Sequence, residues 1–301
     1  MNLFKKEINN WDDWGNIYQS IADFSLLIEY ILKKEKLHFS EIEHLTPGTN
    51  AVFRVGDYVI KIFAPNESGI DQTLDLQTEL YAVKKCNILG ISVPKLIAEG
   101  IVEDKYCFAY MVTEYINGME FTKAEKTMTD IEKINFGQKL RELTDLMNTP
   151  CEHFNDIDVI NDKGRYRRWD SCTENFKCER IAYLKSHDFG ENLFVHGDLC
   201  GDNIIITPKG DLFVIDFADA VLAPKIYEQS LVAMELFKLD AKLLQGYFGN
   251  YSTDELTDLC FNGLLIHDFG GDIVKNYIDN ICEINSLSKL KDMLRHVIKH
   301  F

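Results

Sequence analysis

The chain has no apolar run long enough to cross a bilayer, no cysteine pair in C-x-x-C spacing, no excess of basic charge, and no internal repeat or low-complexity tract. Each absence excludes a class. A membrane-spanning helix needs about 20 predominantly apolar residues, so no membrane partner is expected. Met1-Asn2-Leu3-Phe4-Lys5-Lys6-Glu7 lacks the apolar stretch of a secretory signal, and the expected compartment is the cytoplasm. Eight cysteines are scattered, and the two nearest in sequence, Cys172 and Cys178, have no zinc-like partners. Reduced, mostly buried thiols are the default in that compartment. With 32 Lys and Arg against 48 Asp and Glu, the formal charge of −16 repels nucleic acid. What remains is a chain of 301 residues, 46% hydrophobic, long enough for two lobes with a substantial core.

The most informative segment is His196-Gly197-Asp198-Leu199, followed by Asn203 and by Ile215-Asp216-Phe217. An acid, an amide and a second acid in this order, separated by short apolar segments, point to phosphoryl transfer from a nucleotide. Leu193-Phe194-Val195, Ile204-Ile205-Ile206 and Leu212-Phe213-Val214-Ile215 read as short buried strands, with Pro208-Lys209-Gly210 as a turn between the last two. A hairpin there sets Asn203 and Asp216 at adjacent strand ends, where their oxygens share one hard cation. Magnesium suits the pair, because it takes few carboxylates and completes its octahedron with water and phosphate. Asp198 is left to orient the acceptor hydroxyl and take its proton. Taken singly, His-Gly-Asp is also a tight turn and Ile-Asp-Phe a strand end; the spacing of the ensemble carries the reading.

Upstream, Gly48-Thr49-Asn50 precedes Ala51-Val52-Phe53-Arg54-Val55, Gly56-Asp57 and Tyr58-Val59-Ile60-Lys61-Ile62-Phe63. Two strand-like runs joined by Gly-Asp predict a β-hairpin. The loop at Gly48, Thr49 and Asn50 is placed to cover phosphates with backbone N–H groups, a signal that one glycine leaves weak. Lys61 points to the face opposite Ile60 and Ile62, where a lysine bridges the α- and β-phosphates of ATP. Its expected carboxylate partner is Glu79, on a helix whose Leu76, Leu80 and Val83 form an apolar stripe that places Glu79 at the stripe's edge, with Gly90 as stop signal.

These residues make the chain resemble the aminoglycoside phosphotransferase and choline kinase superfamily, small-molecule kinases with a protein-kinase-like fold. The resemblance runs from about Leu45 to about Gln245 and is strongest over 195–219. It implies an α+β, bilobal protein-kinase-like fold: a small antiparallel β-sheet lobe with one main helix, and a larger, mostly helical lobe. The implied domains are 1–114, the N-terminal helix and nucleotide-binding lobe, and 115–301, the hinge with the catalytic and substrate-binding lobe. By resemblance Asp198 is the catalytic base, Asn203 and Asp216 bind Mg2+, and Lys61 with Glu79 clamps the phosphates of ATP or GTP. Tyr110-Met111-Val112-Thr113-Glu114-Tyr115-Ile116-Asn117-Gly118 is similar to the family hinge, which sets Thr113 at the base pocket and the backbone of Glu114 and Ile116 at the purine edge.

The chain departs from many relatives in having Ala223-Pro224-Lys225 for Gly-Asp-Pro and Tyr227-Glu228 where an aspartate is usual; both changes are read as bearing on local packing. Gly197, where protein kinases present an arginine, and the short segment after Asp216 argue for a small acceptor. Elsewhere, Trp11, Trp14, Ile17, Ile21 and Phe24 read as one amphipathic helix, Thr129 to Glu132 and Ser252 to Glu255 as helix starts, and Leu287 to Ile298 as a last helix. The acidic surplus, including Asp156, Asp158, Asp162, Asp170, Glu174, Glu235, Asp268 and Asp272, fits a cationic acceptor as well as it fits a solvated surface. His267, Asp268 and Asp272 resemble a metal cluster, though a structural turn explains them too.

The expected function is a Mg2+-dependent O-phosphotransferase acting on a small hydroxylated compound of the aminoglycoside type, which would confer antibiotic resistance. The alternatives are a metabolite kinase for choline, a sugar or a glycated amine and, from another class, a catalytically silent nucleotide-binding module. Acceptor, nucleotide preference and oligomeric state are not encoded in any motif.

Overall fold

The computed structural model describes residues 2–300, with the side chains of Lys163 and Arg165 left aside. It divides into two compact units: one made of residues up to 87, 92–118 and 207–218, the other of 88–91, 119–206 and 219 onward. The protein is 49% helical and 15% strand, an α+β composition built on a five-stranded antiparallel sheet of protein-kinase-like type.

That sheet belongs to the first unit. It contains β1 (Ile42–His44), β2 (Ala51–Val55), β3 (Tyr58–Ile62), β4 (Leu96–Glu103) and β5 (Cys107–Glu114), in the order β1-β2-β3-β5-β4. Period-two alternation turns Ala51, Phe53 and Val55 of β2 and Ile60 and Ile62 of β3 into the core. The predicted hairpin is present, with Val55 opposite Tyr58. Gly56 has φ +61°, the conformation that the first position of such a two-residue loop requires.

Packed in the same core are α1 (Trp11–Ile17) and α2 (Ile21–Lys34). The single helix expected over Trp11 to Phe24 is thus two. The Ser20 hydroxyl accepts a hydrogen bond from the Asp23 N–H at 3.3 Å and starts a second helix, because a capped N-terminus satisfies amides that a continuous helix would not expose. Phe4, Ile8, Trp14, Phe24, Leu27 and Ile28 join the sheet's Phe53, Ile60 and Phe108 in one cluster. The unit's third helix, α3 (Thr73–Leu89), stops before Gly90, whose φ is +76°. Near the end of the unit, the turn after Ile206 closes through Thr207 N–H to the Asp211 carbonyl at 3.0 Å and Gly210 N–H to the Thr207 carbonyl at 2.8 Å. A short strand, Leu212–Val214, then leads to Asp216.

The second unit is mostly helical. Its helix Asp130–Met147 opens with the predicted capping box, Thr129 and Glu132 bonded reciprocally, and Thr253–Ile266 opens with the same device at Ser252 and Glu255. Phe136, Leu140 and Met147 face the core as the apolar period requires, as do Leu290 and Leu294 of the last helix, Leu287–His300. Strand Asn192–Val195 pairs antiparallel with Val221–Pro224, Val195 opposite Val221. That pairing brings the segment 196–198 alongside Asp219 and Ala220. No helix among the described residues is long and apolar enough to cross a membrane.

Candidate active site

Lys61 sits on β3 between Val52 of β2 and Met111 of β5. Its Nζ lies 2.7 Å from Glu79 Oε2 and 2.7 Å from Asp216 Oδ1. The Lys61 and Glu79 side chains are only 11% and 7% exposed, whereas Asp216 is 45% exposed. Burial by itself would lower the pKa of the ammonium, but the carboxylates of Asp216 and Glu79 reverse the effect and hold it well above the ordinary lysine value. Burial also raises the Glu79 carboxyl, and Lys61 draws it part of the way back.

The buried face of α3 consists of Thr78, Glu79, Ala82, Val83 and Cys86, while Leu76 and Leu80 are only partly covered. Glu79 therefore stands in the middle of the buried face, not at the edge of a leucine stripe. A buried carboxylate is tolerated there because the lysine neutralises it. Asp75, one turn before Glu79, was not indicated by any motif. Burial raises its pKa, with opposing influences from Lys61 and Asp216.

Asp216 has φ +61°, a left-handed conformation that Asp and Asn enter more readily than other non-glycine residues. Gly48 and Thr49 are exposed in the loop before β2, and Asn50 is buried. Thr113 and Glu114 end β5, where Glu114 N–H donates to the Lys95 carbonyl and Lys95 N–H to Glu114 Oε1, both at 3.0 Å. Ile116 lies two residues further on and is half-buried.

In the second unit, His196 is fully buried and its Nδ1 accepts the Asp198 N–H at 3.2 Å. Gly197 has φ +86°, and a Cβ built on it would lie 1.9 Å from the Asp219 carbonyl oxygen. Glycine is thus a steric necessity at this position. A 3-10 turn, Gly201–Asn203, follows. Asn203 is 8% exposed, and its Nδ2 donates to the Asp198 carbonyl at 2.8 Å and to Asp198 Oδ2 at 3.3 Å. With the amide nitrogen so engaged, the Asn203 side chain directs its oxygen elsewhere. Cys200, between them, has its thiol pushed up to about 12 by burial and by Asp198, which makes it a poor nucleophile.

The residue that sequence reasoning undervalued is Glu228. It is fully buried on helix Lys225–Leu231, accepts the His196 N–H at 2.6 Å and Asn148 Nδ2 at 2.8 Å, and bonds the Gly197 backbone as well. Asn148 also donates to the Phe194 carbonyl at 3.2 Å. Burial raises the Glu228 carboxyl to about 7, against the pull of these donors. The Tyr227-Glu228 departure therefore bears on the backbone that carries Asp198, beyond local packing. One signal was available: a lone acid between Ile226-Tyr227 and Leu231-Val232.

Lys61, Glu79 and Asp216 are thus joined in the first unit, which also carries Gly48, Thr49, Asn50, Thr113, Glu114 and Ile116. Asp198 and Asn203 are joined in the second. Of the acids considered for a cationic acceptor, Asp158 accepts from the Ile160 and Asn161 amides, Asp162 caps a turn, and Asp272 pairs with Arg168 and Lys275. His267 stacks on Tyr227. Among the described residues no three His, Cys, Asp or Glu form a group that could hold a metal ion.

The chain belongs to the phosphotransferase enzyme family of small-molecule kinases, whose family model matches residues 43–259. No curated protein sequence matches it. Among solved structures it is similar to the ADP-bound aminoglycoside phosphotransferase APH(2'')-Ib, at 15% identity over 90% of this chain and 98% of that one, with a TM-score of 0.58. It is also similar to the GDP and kanamycin complex of APH(2")-IIia, at 14% identity over 91% and 99% with a TM-score of 0.57. Choline kinase LicA from Streptococcus pneumoniae is 16% identical over 89% and 98%, with a TM-score of 0.55.

Proposed function

We propose that this protein transfers the γ-phosphoryl group of ATP or GTP to a hydroxyl of a small aminoglycoside-type amine. The observation that carries the reading is the buried Lys61–Glu79 pair at 2.7 Å with Asp216 on the same ammonium. A desolvated lysine of raised pKa, held on a strand by two carboxylates, is preorganised to neutralise nucleotide phosphates. Supporting it are the family membership and the solved complexes of similar structures, which hold ADP, GDP with kanamycin, and streptomycin with ATP.

In this mechanism Asp198 orients the acceptor hydroxyl and accepts its proton. Glu228 and Asn203 keep that carboxylate in place, and Glu79 fixes the reach of Lys61. The donor set suits magnesium: Asn203 has its amide nitrogen committed to Asp198, Asp216 offers an exposed carboxylate, and both are oxygen donors. Those two residues would hold the ion, which supplies charge neutralisation on the transferring phosphate.

A second reading, a metabolite kinase acting on choline, a sugar or a glycated amine, is favoured by the local engagement of Asp158, Asp162 and Asp272, which leaves fewer acids for a polycation. The deciding experiment is nucleoside diphosphate release from ATP and from GTP with aminoglycosides, choline and sugars as acceptors. Turnover with an aminoglycoside is expected; turnover only with choline or a sugar selects the second reading, and nucleotide binding without turnover on any acceptor rejects both.

A further inference from the structure

The N-terminal helix reaches the loop before β2. Trp14 of α1 is 1% exposed, stacks on Tyr18 with ring centroids 6.3 Å apart, and meets Phe24 edge-on at 5.8 Å. Its indole Nε1–H donates to the Thr49 carbonyl at 2.9 Å. Phe24 in turn packs on Phe53 of β2 at 5.7 Å, and α1 also touches the turn Asn66–Ser68 that follows β3. The indole is therefore fixed to the body of the sheet, and the loop is fixed to the indole.

We propose that Trp14 is a positioning residue for the nucleotide: it holds the Thr49–Asn50 peptide so that the loop's backbone N–H groups face the phosphates. The proposal rests on the phosphotransferase reading above. The physical step is the rigidity of the peptide unit. The Thr49 carbonyl and the Asn50 N–H belong to one planar trans group and point in opposite directions, so drawing the carbonyl onto α1 turns the Asn50 N–H away from α1. Gly48 and Thr49 are exposed, and the bond from the Trp14 indole to the Thr49 carbonyl ties this exposed peptide to the buried core. An external anchor removes orientations that the nucleotide would otherwise have to freeze out, and that cost appears in nucleotide affinity. Asn50, immediately before β2, is 5% exposed, so the far end of this peptide is covered by the unit.

The test is Trp14→Phe, which keeps an aromatic ring against Tyr18 and Phe24 and removes the donor. Nucleotide KM should rise about fivefold, the worth of one neutral hydrogen bond, with kcat and acceptor KM within twofold of the unaltered protein. Backbone amides of 48–50 should exchange with deuterium faster in the variant even without nucleotide. Unchanged nucleotide KM, or unchanged exchange in that loop, overturns the proposal. If the variant does not fold, the unaltered protein answers the question by NMR. Its Trp14 indole N–H resonance, identified with Trp11→Phe and Trp169→Phe, should move when magnesium-ATP is added, and a resonance that stays in place overturns the proposal. Failure of the broader reading looks different: the unaltered protein would bind no nucleotide in calorimetry, while the exchange comparison would still decide whether Trp14 holds the loop.

Discussion

Asp198 is half-buried and receives the Asn203 amide on both its carbonyl and its carboxylate. Asp198→Asn should lower kcat by about 10²- to 10⁴-fold, the range of general-base and orienting contributions, and leave nucleotide affinity by calorimetry close to that of the unaltered protein. A variant that keeps most of its kcat removes Asp198 from the mechanism. Glu228 acts one step further back, through the His196 amide. With its carboxyl raised to about 7 from an ordinary value near 4.5, the folded protein holds this proton more tightly than the unfolded chain does. Stability contributed here is present below about pH 4.5 and is lost as pH rises through 7, by on the order of 3 kcal/mol. Urea unfolding at pH 5 and pH 8 should show this fall, and Glu228→Gln should flatten it. The variant should also lose kcat by tenfold or more, since one amide oxygen cannot replace two carboxylate oxygens on two elements. An unchanged slope in Glu228→Gln assigns the pH dependence to other groups.

At the scale of elements, the contact that matters joins β3 to α3 through Lys61 and Glu79. Removing one partner of a buried ion pair typically costs about 3 to 5 kcal/mol. Here Asp216 remains as a second carboxylate for Lys61, so the loss should be smaller. Glu79→Gln is expected to fold, to weaken magnesium-nucleotide affinity about tenfold because the charge fixing the lysine is gone, and to leave acceptor KM unchanged. Calorimetry measures the first quantity and initial rates the second. Equal effects on both substrates would mean that α3 acts on the whole site and not through Lys61. The break between α1 and α2 belongs to this scale too. The Ser20 cap separates the helix that carries Trp14 from the one that carries Phe24, and the two rings meet edge-on at 5.8 Å.

For the whole molecule, the formal charge of −16 sets the background against which both substrates bind. A polycationic acceptor gains from that field and loses the gain when salt screens it, since the Debye length falls to about 8 Å at physiological ionic strength. Acceptor KM should therefore rise several-fold between low and physiological salt, and nucleotide KM should change much less because Lys61 is buried. Steady-state kinetics across a salt series checks this. A flat acceptor KM, or a preferred acceptor without positive charge, discards the aminoglycoside reading and leaves the metabolite kinase.

The sequence by itself determined the segments whose meaning is local. The β2–β3 hairpin follows from alternation around Gly56-Asp57, and the capped helices follow from Thr129 and Ser252. Lys61 was legible because its neighbours Ile60 and Ile62 fix which way it points. Only the tertiary structure decided which polar groups are buried and who satisfies them. Glu79 lies in the centre of a buried face despite a leucine pattern that placed it at the edge. Glu228 holds a backbone amide 32 residues away, and Trp14 holds a carbonyl 35 residues away. The reason is physical: apolar periodicity records only how much of a helix or strand is covered. A buried charge or donor is stable only where a partner from a distant part of the chain arrives to meet it, and no local pattern specifies that meeting.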